Sequence, residues 1–541
     1  MNTPIRMLLS GNQAVALAAH HAGVALATAY PGTPSTEILE ALAALGGPAQ
    51  WAPNEKVAYE VALGAAWSGA RALVAMKHVG VNVAADPLFT SMYTGVAGSL
   101  VLVSADDPGM ASSQNEQDNR RYAMAAGMPM LEPSDSQEAY DYVFEAYAIS
   151  ERWRLPVMLR MTTRVCHSQT LVQPHAESDA PPEVHFDHDL EGRTMIPGYA
   201  RPAHRRLRAK LAEIDACNET SPLHQRVDAD RSLGIISASV AYVHAREAAP
   251  EASFLKLAMA YPLPVQLIRD FVGSVDRCVV VEENDPYLVD AIRAVAPPIL
   301  TATGATVEGK AEMFRFGELN VARVRRLLAG DTSPDPVRPP GKPPQLCIGC
   351  PHRTSLAPLH QLDCAIMGDI GCYTLGVQPP LKAMDSCVCM GASIGTGLGL
   401  RHVLPRDEAK RVVSVLGDST FVHGGITGLV EMVYNPPPTG HVVLILDNGT
   451  TAMTGLQDHP ATGRRLNKQP THRLSLEELA KAIGVPNVHV IDPVADVKGY
   501  RKLLEESLDS EELVVIITRR ACTLAAAKQA KTDAAKEKAN G

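Results

Sequence analysis

Short runs rich in aliphatic and β-branched residues alternate with helical stretches along most of this chain, and no other feature narrows its fold so far. ARALVAMKHV and SLVLVSADD read as buried strands ending in turn signals, while NEKVAYEVALGAAWSGA between loops reads as a helix. The pattern resumes after residue 231 with SLGIISAS, SFLKLAMAYPLP and DRCVVVEEN, and again after Cys347 with RVVSVLGD and HVVLILDN. Such alternation predicts an α/β protein of doubly wound parallel sheets. The last two strands carry polar residues at their ends, the edge where open parallel sheets hold ligands. A chain of 541 residues exceeds what one core usually organises, so three such domains are expected, over 1–170, 231–327 and 346–524. Between them lie a connecting segment at 171–230, rich in Pro, Asp and His, and a Pro-rich linker at 328–345. The Lys/Ala-rich tail, 525–541, reads as a frayed helix or disordered.

Composition serves mainly to exclude. With 46% hydrophobic and 20% charged residues, and no apolar run as long as a membrane span, the chain reads as globular and without a membrane partner. The N-terminus suits a strand, turn and helix better than a signal peptide. A net charge of −9 gives no reason to expect nucleic acid. Ten Cys without a secretory signal indicate a reducing cytoplasm, where clustered thiols bind metal more often than they form disulfides.

The sharpest chemical signal is Gly417-Asp418-Ser419 with Asp447-Asn448-Gly449-Thr450, Asn448 standing 30 positions after Asp418. Each follows a strand, so Asp418 and Asn448 can meet at the sheet's carboxyl rim. Magnesium wants hard oxygen ligands in near-octahedral geometry. One carboxylate, one amide oxygen and one backbone carbonyl, placed at Thr450, leave positions for two diphosphate oxygens and a water. HGGITG is read as opening a helix whose free N–H groups favour a diphosphate. A lone GD or DN is mostly structural, but the ordered pair resembles the thiamine-diphosphate motif, with Ser419 replacing its usual third residue. Thiamine enzymes also need a carboxylate at N1′ of the aminopyrimidine, to favour the tautomer that activates the thiazolium. Asn54-Glu55, ahead of a helix of small residues with Gly64 and Gly69-Ala70-Arg71, looks like that superfamily's pyrimidine-binding pattern. Glu55 is therefore the candidate carboxylate, and Glu60 is its neighbour on the helix's solvated face.

Cys347-Ile348-Gly349-Cys350-Pro351-His352 opens the third unit, Cys372 follows in GDIGC, and Cys522 stands beyond the strand LVVIIT. Four thiolates suit zinc or an iron–sulfur cluster alike. Cys364, Cys387 and Cys389 are alternative ligands or buried inert thiols, and Cys166, Cys217 and Cys278 have no partner spacing.

Taken together, these motifs identify a resemblance. LLSGNQAVALAA, YPGTPSTE, NEKVAYEVALGAAWSGARALVAMKHVGVNVAADP, ADDPGMASSQNEQDNR, YPLP, VVEEND, CIGCPHR, GDIGCYTLG, CMGASIG, GDSTF and LDNGTTAMTG resemble the alpha subunits of indolepyruvate ferredoxin oxidoreductase, in the 2-oxoacid:ferredoxin oxidoreductase superfamily. The likeness covers the chain to about Leu524. It implies a pyrimidine-binding domain at 1–170, a transketolase-C-terminal-like domain at 231–327 and a diphosphate-binding domain at 346–524. It also implies thiamine diphosphate on Glu55, Gly391, Gly417, Asp418, Ser419, Asn448 and Thr450, with Mg2+ on Asp418, Asn448 and Thr450. One [4Fe–4S] cluster is implied on Cys347, Cys350, Cys372 and Cys522. Thr33 in YPGTPS matches a substrate-contacting threonine of pyruvate-oxidising relatives, and His78 in the MKHVG loop is a further catalytic candidate. The arginine that clamps the substrate carboxylate in those relatives has no counterpart, which leaves Lys77, His78 and Arg120 as substitutes.

The implied reaction is oxidative decarboxylation of an arylpyruvate with coenzyme A, the electrons leaving through ferredoxin or another carrier. Typical alpha subunits of this kind run on into a ferredoxin module of further cysteines, which this sequence lacks. A smaller beta subunit is expected as partner, in a hetero-oligomer such as α2β2. The competing readings are a non-oxidative thiamine decarboxylase or carboligase, which needs no cluster, and a cofactor-binding assembly scaffold.

Overall fold

The computed structural model describes residues 6–175, 183–295, 298–336, 341 and 343–540. Parts of the expected connecting segment (176–182) and of the Pro-rich linker (337–340 and 342) lie outside the described residues. The chain forms two compact units, Met1–Pro336 and Val337–Gly541. Among the described residues no helix is long and apolar enough to cross a membrane.

The first unit is built on a seven-stranded sheet. Its strands are β1 (Leu26–Ala29), β2 (Ala49–Trp51), β3 (Arg71–Lys77), β4 (Ser99–Asp106), β5 (Met130–Leu131) and β6 (Val157–Thr162), with Met259–Tyr261 antiparallel to β5 at one edge. From that edge the order is Met259–Tyr261, β5, β6, β4, β3, β1, β2. Every residue of β4 is buried, as expected of an inner parallel strand covered on both faces. A second sheet of four strands, Gln225–Val227, Asp230–Ser237, Ala252–Lys256 and Cys278–Val281, is parallel except for its first strand.

Stretch 231–327 thus makes a sheet of its own, yet it is stitched to the first sheet within one unit. Two buried arginines hold them together. Arg160 on β6 donates to Asp106 (2.8 Å), to Glu132, and to Asn284 Oδ1 (2.8 Å) beyond strand Cys278–Val281. Arg120 donates to Asp118 (2.6 Å) and Glu282 (2.7 Å). Removing one partner of such a pair strands a buried charge, at a cost of about 3–5 kcal/mol.

The connecting segment contains a helix that its composition concealed, Pro197–Asn218. Pro202 and a run of basic residues disguise a narrow buried stripe of Ala203, Leu207, Leu211 and Ile214 at helical spacing.

The second unit carries an all-parallel six-stranded sheet of β7 (Ala365–Gly368), β8 (Ser386–Cys387), β9 (Val412–Gly417), β10 (His441–Asp447), β11 (Asn487–Ile491) and β12 (Leu513–Arg519), in the order β8, β7, β9, β10, β12, β11. Leu356, Leu359, Tyr500 and Leu504 cover one face of it, and Ile394, Leu429, Met432 and Ala480 the other. The tail is helical over Thr523–Asn540.

Candidate functional site

In the first unit β1 pairs with β2 on one side and β3 on the other. The loops leaving β1 and β3 therefore diverge, and such a switch point opens a crevice at the strands' carboxyl ends. Thr33 lies half-buried in the loop after β1, in a turn where Ser35 N–H donates to Gly32 O (2.9 Å). His78 is the residue directly after β3. Glu55, after β2, opens the helix Glu55–Trp67, capped by Asn54 Oδ1 accepting from Val57 N–H (2.9 Å). The Glu55 side chain is buried, and Gly80 packs onto its carboxylate so closely that a Cβ there would stand 2.7 Å from Oε1. Glu60 points away from this crevice, ion-paired with Lys56 on the solvated face.

Of the basic groups considered for a substrate carboxylate, Arg120 is ruled out by its surroundings. Its guanidinium donates to Asp118, Glu282, Glu283 O (2.8 Å) and Asp285 O (3.0 Å), and it is fully buried among them. Its role is structural, a correction to the reading from sequence. His78 is buried, with Nε2 3.2 Å from Asn115 O and no partner at Nδ1 among the described residues. Burial pushes its pKa below the ordinary value against the pull of Asp106, which favours the neutral ring. Lys77, beside it, donates to Ser112 O (2.7 Å).

In the second unit the switch point lies between β7 and β9, for β7 pairs with β8 on its other side. Asp369 directly follows β7 and Asp418 directly follows β9. Asp418 Oδ2 accepts from Gly449 N–H (2.8 Å), and Asn448 Oδ1 accepts from Thr450 N–H (3.0 Å). Both side chains thus converge on one short turn. Gly449 adopts φ +72° with open space where a Cβ would be. Thr450 spends its hydroxyl on Gln457 O (3.1 Å), which leaves its carbonyl as the oxygen it has to offer a cation. A carboxylate, an amide oxygen and a carbonyl form the hard donor set that magnesium takes. Ser419 fits the departure from the usual motif, since its hydroxyl accepts from Thr451 (2.9 Å) and ties the two halves together.

One expectation about phosphate-binding N–H groups is corrected. HGGITG does not open a helix. The helix begins at Asp418, and Phe421–Gly425 forms a π turn within it before Ile426–Tyr434 continues. Its electropositive end is at Asp418–Thr420, in the motif itself. π turns of this kind recur at functional sites. Gly391 N–H donates to Asp369 Oδ1 (2.8 Å), and Ser393 N–H donates to Oδ2 (3.2 Å). What Gly391 supplies is closeness, for with φ +91° its Cβ would lie 2.5 Å from the Gly424 backbone.

Cys522, distant in sequence from the other three cysteines, lines one cavity with them. Cys347, Cys350, Cys372 and Cys522 line a cavity of about 60 Å³ together with His352 and Asn448. Burial raises the Cys350 thiol, and Cys347 and Cys522 add to the shift. Cys372 is pushed to about 11, first by burial and then by Cys350, Cys522 and Cys347. Sulfurs that raise one another's pKa in this way are offset by a bound cation. Among the described residues no three His, Cys, Asp or Glu side chains are drawn together into a metal-binding group, and the sulfurs stand as cavity walls. Cys364 lies in the hydrophobic core, and Cys387 and Cys389 stand near Asp369. Cys166 and Cys278 are buried in the first unit, and Cys217 accepts from Arg152 (3.5 Å).

Three residues went unread in the sequence. Asp369 is pushed up to about 6 by burial, against its bonds to Ser393 and Gly391. His459 Nε2 lies 3.2 Å from Asp418 Oδ2, and His352 Nε2 accepts from Asn448 Nδ2 (3.2 Å). Burial would raise Asp418, but attraction to His459 holds it below its ordinary value. A signal for Asp369 was present, because Gly368-Asp369 repeats the strand-ending dipeptide of Gly417-Asp418. Cys522 N–H donates to Asn448 O (3.0 Å), so Asn448 belongs both to the turn that meets Asp418 and to the cysteine cavity.

Residues 17–225 match the family described as pyruvate flavodoxin/ferredoxin oxidoreductase, thiamine diP-bdg, and residues 369–518 match thiamine pyrophosphate enzyme, C-terminal TPP binding domain. The chain is 38% identical to the indolepyruvate oxidoreductase subunit IorA of Archaeoglobus fulgidus, over 96% of this chain and 87% of that one. It is 37% identical to the subunit of the same name from Pyrococcus abyssi, over 96% and 86%. Among solved structures, a 2-oxoglutarate:ferredoxin oxidoreductase from Magnetococcus marinus is similar at a TM-score of 0.49 and 17% identity, covering 60% of this chain and 65% of that one.

Proposed function

Because the chain belongs to the family of indolepyruvate oxidoreductase IorA subunits, within the 2-oxoacid:ferredoxin oxidoreductase superfamily, we propose that it oxidatively decarboxylates an arylpyruvate. The 2-oxoacid and coenzyme A give the arylacetyl-CoA, CO2, one proton and two electrons, and the electrons pass to ferredoxin or a similar carrier. The observation that carries this reading is the sharing of Asn448 between the Asp418 turn and the four-cysteine cavity. A metal-diphosphate anchor with thiolates at its back suits an enzyme that removes electrons from its substrate.

Thiamine diphosphate, for which the chain has binding domains, supplies when bound the nucleophilic carbon and the electron sink that let the substrate's carboxylate leave as CO2. In the first unit, Glu55 holds the proton at N1′ of the aminopyrimidine from its pocket beneath Gly80. Thr33 orients the substrate, and His78 offers an open nitrogen as a neutral acceptor. In the second unit, Asp418, Asn448 and the Thr450 carbonyl hold Mg2+ against the diphosphate, with Gly417, Ser419 and Gly391 shaping its bed. Cys347, Cys350, Cys372 and Cys522 hold a [4Fe–4S] cluster. A smaller beta subunit completes the enzyme in a hetero-oligomer, in the cytoplasm.

The test is anaerobic co-purification with the neighbouring small subunit. Iron, sulfide and thiamine are measured, and arylacetyl-CoA is sought by mass spectrometry with a viologen as acceptor. Iron with sulfide and acyl-CoA formation are expected. An iron-free protein that releases the aldehyde instead would replace this reading with the non-oxidative one.

A further inference from the structure

A 2-oxoacid brings a carboxylate to the crevice around Glu55, and a buried anion needs a cation to meet it. The basic side chains near this rim are nearly all committed elsewhere. Arg120 and Arg160 are saturated in the buried network. Arg164 is clamped onto Glu318 by two bonds, one of 2.9 Å. Lys310 donates to the carbonyls of Glu282 (2.8 Å) and Asn284.

Lys77 is different. It ends β3, and its aliphatic stem passes beneath Gly32, where a Cβ would come within 3.1 Å of Lys77 Cβ. That contact places it directly below the loop that carries Thr33. Its ammonium makes one hydrogen bond, to Ser112 O, and among the described residues it touches no carboxylate. The acid whose charge acts on it, Asp107, accepts from Ser112 N–H (2.8 Å), Ser113 Oγ (2.6 Å) and Thr163 Oγ1 (2.8 Å). Burial lowers the Lys77 pKa, with Asp107 opposing from a distance. An ammonium has three donors, so two are uncommitted. Beside it stands His78 with an open Nδ1, and one turn further on Gly80 covers the Glu55 carboxylate.

We propose that Lys77 is the specificity-determining cation of this enzyme, and that its ammonium receives the substrate's carboxylate between the Gly32–Thr33 loop and the Ser112 carbonyl. The assignment rests on the 2-oxoacid reading above and names the group that recognises the acid. A lysine serves as a compact point charge here, where a planar guanidinium would need a matched pair of acceptor directions.

The test uses the holoenzyme with Lys77→Met, which keeps the stem and removes the charge, and Lys77→Arg. Lys77→Met is expected to raise KM for the arylpyruvate about 10- to 100-fold, the worth of one charged hydrogen bond. KM for the corresponding aldehyde, which has no carboxylate, stays within about twofold, and Lys77→Arg recovers part of the loss. Thiamine diphosphate affinity measured by calorimetry is unchanged. Direct binding of phenylpyruvate is then measured in a Glu55→Gln background, where turnover does not interfere. It is expected to weaken by the same factor when Lys77→Met is added. Binding that survives Lys77→Met, or an equal loss for acid and aldehyde, overturns the assignment. A wild-type enzyme that forms no acyl-CoA yet binds 2-oxoacids in a Lys77-dependent way would remove the oxidative reading and keep this one.

Discussion

At the switch point of the first unit the strand ends deliver Thr33 and His78, with Glu55 close by under Gly80. At that of the second they deliver two carboxylates, Asp369 and Asp418, with Asp447 ending the next strand and Asn448 directly after it. The sheet logic is the same and the electrostatics are opposite. In the second unit acids crowd, so that burial and then Asp418 push Asp447 upward. That rim wants a cation. In the first unit the strong charges of Arg120 and Arg160 are neutralised within the core. What reaches that rim, beside the buried Glu55 carboxylate and the hydrogen-bonded Asp107, is an imidazole and an ammonium with donors to spare, so it can still meet an anion. The two rims show how a fold sets ligand charge by choosing which of its own charges to bury together.

The most severe way to break the contrast is Asp418→Ala. Measurable thiamine diphosphate binding in a calorimetric titration with Mg2+ is expected to vanish while the chain remains folded by circular dichroism. Wild-type affinity would show that the second rim does not hold the metal. Next in size, Glu55→Gln should keep the cofactor but lower turnover and C2–H exchange by about 10²-fold or more. Near-normal exchange would return the role to Glu60. Cys522→Ser should lower iron content and the visible absorption while leaving thiamine affinity within a few fold. An intact spectrum there, with loss in Cys389→Ser, would move the ligand. Gly80→Ala forces a methyl against the Glu55 carboxylate and should cost about 1–3 kcal/mol of stability in a denaturant titration. No change would mean that the Glu55 pocket is looser than its geometry indicates.

The smallest effects concern pH, and they run in opposite directions at the two rims. His78 is depressed by burial. The unfolded chain therefore takes up a proton near the ordinary histidine pKa while the folded chain resists, and this contribution is lost on acidification. Asp369 is raised to about 6. Its folded form binds the proton first, so acidification adds stability, and that gain is lost again as pH rises through about 6. Thermal midpoints between about pH 7 and about pH 5 should show His78→Gln gaining on the wild type toward acid and Asp369→Asn falling behind it. Parallel profiles would deny both shifts.

Much of this was readable beforehand because strand periodicity and strand-end polarity are local. SLVLVSADD became β4, and the Asp418–Asn448 spacing marked two neighbouring strands. The helix Pro197–Asn218 was hidden, since its buried stripe shows only once tertiary partners select it from a basic surface. Arg120 illustrates the deeper limit. A sequence names a guanidinium, but its being spent depends on Glu282, 162 positions away. The histidines at Asp418 and Asn448 were missed for the same reason, their partners being 41 and 96 positions distant.

The bond from Cys522 N–H to Asn448 O has a bearing on biosynthesis. Cys522 follows Cys372 by 150 positions and is the last of the cavity's four cysteines to leave the ribosome. Closing so long a loop costs chain entropy that grows as the logarithm of its length. β12 supplies the closure through its pairing with β10. On the proposed cluster reading, iron delivery to this cavity would be a late event, since a nascent chain halted before residue 522 offers only three of the four cysteines.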